Sequence, residues 1–120
     1  MQKDPPLTID IVEGKTPETR IFILDGPLTL SNLFAFQDLL RSCEVPRVAI
    51  FDLRRVPYID SAGIGAIANY HVHCRRTGAE LIVAGVNSRP MELFVLTKLN
   101  TAIPMAASVE DARPSYPAPF

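Results

Sequence analysis

The segment YIDSAGIG, residues 58 to 65, gathers the groups most able to do chemistry. Tyr58 and Ile59 lead into a carboxylate, Asp60, and a hydroxyl, Ser61; Ala62 follows, and Gly63 and Gly65 flank Ile64. Three chemistries use such a set: attack by an activated serine, cradling of a cofactor phosphate by a glycine loop, and acceptance of a phosphoryl group by the serine itself.

Spacing argues against the first. A hydrolase elbow reads G-x-S-x-G, and Ile59 stands where its first glycine belongs. An activated serine also needs a base within hydrogen-bond reach. The two histidines, His71 and His73, lie ten and twelve residues along the same predicted helix. At a rise of about 1.5 Å per residue that is roughly 15 Å or more, too far for direct proton transfer. No catalytic residue is assigned.

The glycine loop fares little better. GIGAIA (63–68) satisfies G-x-G-x-x-G/A, a weak match when it stands alone. The dinucleotide fingerprint follows its strand at once, whereas residues 54–60 separate Leu53 from Ser61. The acid expected near the end of the next strand is replaced by Glu80 at its start, and 120 residues leave no room for a second mononucleotide half. No cofactor is expected.

The third chemistry rests on the helix that begins here. Asp60 is placed to be its N-cap, with Ser61 at the first helical position. Gly63 and Gly65 each weaken a helix by about 1 kcal/mol relative to alanine, so close approach by the sheet or by a partner is the expected reason for them. A hydroxyl at this position can carry a dianionic phosphate beside free N–H groups and the positive end of the helix dipole. The plainer alternative, in which Asp60 and Ser61 only cap the helix, stays open on physics alone.

The elements that must hold this loop follow from periodicity. LTIDIVE (7–13) alternates as a half-buried strand, GKTPE is a turn, and TRIFILDG (19–26) is a second strand, together a hairpin. In PLTLSNLFAFQDLLRSCEVP the period becomes helical through Leu33, Phe36, Leu39, Leu40 and Cys43, with Ser31 as N-cap and Pro46 as the stop. RVAIFDL (47–53) is a nearly continuous apolar run that suits a strand covered on both faces. The helix from Ser61 runs to Thr77 and ends at Gly78. AELIVAGV (79–86) is another buried strand, SRPMELFVLTKL (88–99) a short amphipathic helix, Ala102–Met105 a last strand and VEDAR a stub of helix. The order argues for an α/β fold: one mixed, mostly parallel sheet of about five strands with helices packed on it. Loops at the carboxyl ends of its strands, including Tyr58–Ser61, form the functional edge.

Bulk properties fit one small domain, residues 1–112, with a proline-rich tail at 113–120. Hydrophobic content is 48% and net charge −1, which gives no broad drive toward nucleic acid or an anionic membrane. No apolar run is long enough to span a membrane and the start has no h-region, so a cytoplasmic protein with reduced Cys43 and Cys74 is expected. His71 and Cys74 share a face with Ile64 and Ile67; without third and fourth ligands, metal binding is not expected. Arg75 and Arg76 complement the helix dipole. Arg54 and Arg55, placed in the loop, could steer an acidic partner or steady a phosphate on Ser61, or simply be solvated. Leu93 and Phe94 read as core.

The stretch VAIFDLRRVPYIDSAGIGAIANYHVHCRRTGAELIVAGVNSRPMELFVLTKL resembles the STAS domain, the fold of bacterial anti-sigma factor antagonists. The shared pattern is an apolar strand, D-L-x-x-V-x-[FY]-[IM]-D-S-[SAT]-G-[LI]-G, a helix, a G-[GA]-E/K-L-x-[VL] strand and a short helix with a Leu-Phe pair. The resemblance covers roughly residues 7 to 112. It implies a non-enzymatic switch whose Ser61 is phosphorylated by an anti-sigma factor with serine kinase activity, and whose binding to that partner frees a sigma factor. It further implies a phosphatase acting on Ser61, no direct nucleic-acid contact, and a monomer or weak homodimer. The partner-binding set would be Arg54, Arg55, Tyr58, Ile59, Asp60, Ser61, Ala62, Gly63, Ile64 and Gly65. Two departures stand out. Ala62 replaces a frequent Ser or Thr, and the Gly26-Pro27-Leu28 turn in LDGPLTLSNLFAF looks more like STAS domains attached to sulfate-transporter-like anion carriers. The alternative is therefore a scaffold or sensory STAS domain, stressosome-like or transporter-associated.

Overall fold

A computed structural model describes residues 4–114. Strands β1 (Thr8–Glu13) and β2 (Thr19–Asp25) form the expected antiparallel hairpin, Thr8 opposite Asp25 and Glu13 opposite Arg20. A 3-10 turn (Leu30–Asn32) leads into α1 (Leu33–Ser42), followed by β3 (Val48–Arg55), α2 (Ser61–Arg76) and β4 (Glu80–Ala84). The rest is α3 (Ser88–Leu96), α4 (Leu99–Ala102) and β5 (Met105–Ala106). Strand order in the sheet is β1-β2-β3-β4-β5, parallel from β2 onward. This is the mixed, mostly parallel sheet expected from the sequence.

Because spatial order equals chain order, every crossover steps in the same direction. Parallel crossovers are right-handed almost without exception, so all of them pass over one face. The packing agrees. Phe36 of α1, Ile64, Ile67 and Tyr70 of α2, and Phe94 of α3 share one core with Phe22, Phe51, Leu53, Leu81 and Val83 of the sheet. Phe51 is its centre, 5.4 Å from Phe22, 5.8 Å from Phe36 and 5.2 Å from the stacked ring of Tyr70. These offset and edge-on pairs add to the burial energy and fix α1 and α2 on the strands. The opposite-facing residues Val48, Ile50, Ile82 and Ala84 are covered by Val109 and Ala112 instead. The double coverage expected for β3 and β4 is thus unequal, helices on one side and a short segment on the other. A groove of about 480 Å³, lined in part by Ile21, Val48, Ile50 and Val109, opens beside that segment.

Several boundaries differ from expectation. Ser31 is not the N-cap of α1: Asn32 holds that position without a side-chain cap bond, and the Ser31 hydroxyl turns to Asp4. The helix ends at Ser42, with Cys43 already extended, before Pro46 is reached. The helix expected over 88–99 is broken. The Thr97 hydroxyl takes the carbonyls of Leu93 (2.8 Å) and Phe94 (3.2 Å), and Lys98 adopts a left-handed φ of 62°, which ends α3 before α4 starts. β5 is shifted to Met105–Ala106, and residues 109–111 form a turn rather than a helical stub. Of the expected tail, residues 115–120 lie outside the described residues.

Candidate functional site

The loop that carries Ser61 is gripped from both neighbouring connections. After β3, Val56 is buried, and Ile59 pairs with Leu28 in an isolated parallel bridge. Leu28 donates its N–H to the Tyr58 carbonyl (3.2 Å) and accepts from the Asp60 N–H (3.2 Å). From the other side the Asn87 amide donates to the carbonyls of Arg54 (3.0 Å) and Val56 (3.2 Å). A five-residue excursion between strand and helix is thereby as well tied as a strand.

Asp60 is the N-cap of α2, as the sequence implied, with φ −99° and ψ −176°. Oδ1 accepts from the Gly63 N–H at 2.9 Å, the bond expected of a cap. Oδ2 accepts from the Leu30 N–H at 3.0 Å, so the same carboxylate also closes the 3-10 turn before α1. Ser61, next in the chain, is exposed, and its hydroxyl has no hydrogen-bond partner among the described residues. Gly63 and Ile64 N–H groups go to Asp60, which leaves those of Ser61 and Ala62 as the orphan donors of the helix start. A hydroxyl beside free donors at the positive end of a sixteen-residue helix can accept and hold a phosphoryl group.

The two glycines have different reasons. A Cβ on Gly63 would collide with the Leu28 carbonyl oxygen and come within 2.8 Å of Ile59 Cγ2, so the close approach expected of the pair is real here. A Cβ on Gly65 would meet nothing within 4 Å. Ile64 is buried in the core and Ala62 is half-buried.

Tyr58 is half-buried. Its hydroxyl donates to Asp4 Oδ1 at 2.6 Å, and Arg89 of α3 lies over its ring, 4.8 Å from the centroid. The bond to Asp4 raises the Tyr58 pKa, with burial adding to the effect. Arg54 and Arg55 end β3 rather than sitting in the loop. Arg54 forms a fork with buried Asp52, Nη2 to Oδ2 at 3.1 Å and Nε to Oδ1 at 3.1 Å, and Arg55 pairs with Asp25 at 3.6 Å. Both guanidinium groups therefore have carboxylate partners within the sheet, although both side chains are exposed.

His71 is half-buried, and its Nδ1 has no partner. Burial, and then Arg75, lowers its pKa. Cys74 is fully buried, which pushes its thiol up to about 11. Among the described residues no three His, Cys, Asp or Glu side chains are grouped to hold a metal ion, and no helix is long and apolar enough to cross a membrane.

An apolar surface beside the site escaped the sequence reading. Leu30, bonded through its N–H to Asp60, is 62% exposed, and Phe34, one turn further on, is 71% exposed. The signal was present. Leu33, Phe36 and Leu40 define the buried stripe of α1, and Leu30 and Phe34 fall out of phase with it.

The STAS domain family model matches residues 11–112. No curated protein matches the sequence significantly. Among solved structures, a sulfate transporter family protein from Wolinella succinogenes is 24% identical with a TM-score of 0.72, over 81% of this chain and 83% of its own. An anti-sigma factor antagonist from Mycobacterium paratuberculosis is 16% identical with a TM-score of 0.73, over 88% and 89%. The anti-sigma factor antagonist SpoIIAA in its unphosphorylated form is 15% identical with a TM-score of 0.59, over 84% and 88%. With the family model covering nearly the whole described fold and with antagonists and transporter domains sharing its architecture, the chain belongs to the STAS domain family.

Proposed function

We propose that this protein is an anti-sigma factor antagonist: a cytoplasmic, non-catalytic switch whose Ser61 loop binds an anti-sigma factor with serine kinase activity. Phosphorylation of Ser61 by that partner breaks the complex, a phosphatase restores it, and the unmodified form frees a sigma factor. The observation that carries the reading is the division of labour at the start of α2. Asp60 spends both carboxylate oxygens on backbone N–H groups, and the adjacent Ser61 hydroxyl stands exposed and uncommitted. Support comes from the exposed apolar pair Leu30 and Phe34, which adjoins the loop and suits a protein partner. Of the partner-binding set, Tyr58, Ala62 and Gly65 are half-buried and can line a surface, Ile59, Gly63 and Ile64 are buried and support it, and Arg54 and Arg55 are exposed at the end of β3.

A phosphate adds about −1.5 to −2 charge at pH 7. The helix start can compensate that charge in solution, whereas an apolar interface must desolvate it against the partner. The fold should survive modification and the complex should not.

The test is calorimetric affinity for an anti-sigma factor of the serine kinase type from the same organism, with thermal unfolding of the same proteins. Ser61→Ala should bind as the wild type does and resist modification. Ser61→Asp should bind at least about thirtyfold more weakly, about 2 kcal/mol, with its unfolding temperature nearly unchanged. Equal affinity of Ser61→Asp and wild type would refute the switch. A chain that ignores such kinases but assembles with other proteins would be a scaffold or sensor.

A further inference from the structure

The first described residues form a strap that ends on the Ser61 loop. Asp4 accepts three hydroxyl hydrogen bonds, from Thr29 (2.5 Å) and Ser31 (2.8 Å) at Oδ2 and from Tyr58 (2.6 Å) at Oδ1. The Pro5 carbonyl accepts from the Asn32 amide at 3.1 Å, and the Pro6 carbonyl passes so close to Gly26 that a Cβ there would sit 2.5 Å away. Residues 4–7 have no regular secondary structure, Pro5 and Pro6 have no N–H to donate, and both prolines are exposed. Among the described residues the strap is held by the Asp4 carboxylate and by the Asn32 amide on Pro5.

That carboxylate shares its turn with a second one. Thr29 and Ser31 bond Asp4, while Leu30 between them bonds Asp60, the residue before Ser61. Neighbouring Cα atoms are about 3.8 Å apart, so a charge on Ser61 falls on the order of 10 Å from Asp4, close to the screening length of about 8 Å. All three groups that hold Asp4 are neutral hydroxyls, and no cation among the described residues forms an ion pair with it. The described cation beside the latch is Arg89, which lies over the Tyr58 ring, 4.8 Å from its centroid, and makes no ion pair with Asp4. The hydroxyls hold the Asp4 carboxyl below the usual carboxylate range, Thr29 contributing most, then Tyr58 and Ser31.

We infer that the Asp4 latch is coupled to the charge on Ser61: a phosphoryl group there releases the strap and bares the Thr29, Ser31 and Tyr58 hydroxyls. The inference rests on the reading of Ser61 as phosphoacceptor. Phosphorylation then acts twice, by placing charge on the loop and by changing the surface beside it. Two like charges weaken the latch through repulsion.

The experiment needs neither kinase nor partner. Phosphoserine is installed at position 61 by semi-synthesis, and NMR follows the Asp4 carboxyl titration together with hydrogen exchange at the Thr8 amide, the first residue of β1 to pair with β2. In the phosphorylated protein the Asp4 midpoint should rise toward or above the ordinary aspartate range, and Thr8 exchange should quicken roughly five- to tenfold. Asp4→Ala should quicken exchange in the unmodified protein, and phosphoserine should then add nothing. Asp4→Asn keeps one acceptor oxygen and no charge, with an N–H2 group toward which a hydroxyl must turn to accept; whatever its starting exchange rate, phosphoserine should change it little. Unchanged titration and exchange in the phosphorylated wild type would overturn the coupling. So would equal release of the Asp4→Asn strap. Failure of any kinase to act on Ser61 is read in the calorimetry above, and leaves these outcomes as they are.

Discussion

Gly63 and Gly65 look alike in the sequence, and the structure predicts opposite responses to the same substitution. In a helix interior alanine is favoured over glycine by about 1 kcal/mol. Nothing lies within 4 Å of a Cβ on Gly65, so Gly65→Ala should gain about that 1 kcal/mol. Gly63→Ala drives a methyl into the Leu28 carbonyl oxygen and to 2.8 Å from Ile59 Cγ2. That carbonyl cannot simply retreat, because it accepts the Asp60 N–H at 3.2 Å and belongs to the bridge that holds the loop. Overpacking costs about 1–3 kcal/mol and a weakened backbone hydrogen bond about 1 kcal/mol more; less the propensity gain, the net loss is about 1–3 kcal/mol. For a domain of this size each kcal/mol moves the unfolding midpoint by roughly 3–6 °C. Calorimetry should therefore place Gly65→Ala a few degrees above wild type and Gly63→Ala about 3–18 °C below it. Urea titration of the same proteins gives the free energies directly. Shifts of the same sign would refute the argument, as would a Gly63→Ala protein as stable as wild type. The pair also bears on function. If Gly65 is open to admit a partner, Gly65→Ala should be more stable and yet bind less well.

Asp60→Ala removes acceptors for Gly63 and Leu30 at once, and should cost about 1–2 kcal/mol by denaturant unfolding, whereas a loss within error would show that the cap is dispensable. Thiol reagents at neutral pH should modify Cys43 and spare buried Cys74, whose pKa is raised to about 11, until the protein unfolds; equal rates for the two would contradict the packing of α2. Burial first, then Arg75, lowers the His71 pKa below its usual 6.5, so the folded state binds this proton less readily than the unfolded chain does. Its contribution is fully present above pH 6.5 and is lost as the pH falls through the lowered folded value; His71→Gln should flatten that part of the stability profile, and an unchanged slope would count against it.

What the sequence disclosed was local. The alternation of the hairpin strands, the apolar runs of β3 and β4, the Asp60 cap and the stop at Gly78, which adopts φ +78°, each depend on a few adjacent residues. Long-range partners were not legible. The second oxygen of Asp60 serves Leu30, thirty residues away, and Asp4 reaches Tyr58 across fifty-four. No periodicity encodes such bonds. Arg54 and Arg55 were placed in the loop because the apolar run stops at Leu53, yet β3 continues through both, its register with β2 carrying on to the pairing of Asp25 with Arg55. Nor could composition tell an occupied space beside Gly63 from an empty one beside Gly65. The exposed position of Ser61 followed from the cap, which is why the centre of the candidate site was easier to read than its surroundings.

The chain-order sheet bears on how the molecule is made. Each strand finds its partner in the strand emitted just before it, so a ribosome can deliver this sheet without any segment waiting for a distant one. The β1–β2 hairpin can form first, and β3, β4 and β5 then extend a single growing edge, each bringing its own helix to the same side. Only the hairpin closes a short loop; the parallel pairings, such as Ile21 with Ile50 and Ile50 with Ile82, close over a whole crossover and are the slower steps. The growing edge is also the vulnerable one, since an unpaired strand edge templates association with other chains. Growth ends at β5, which is only two residues long and offers little further edge to a nascent neighbour on a crowded polysome.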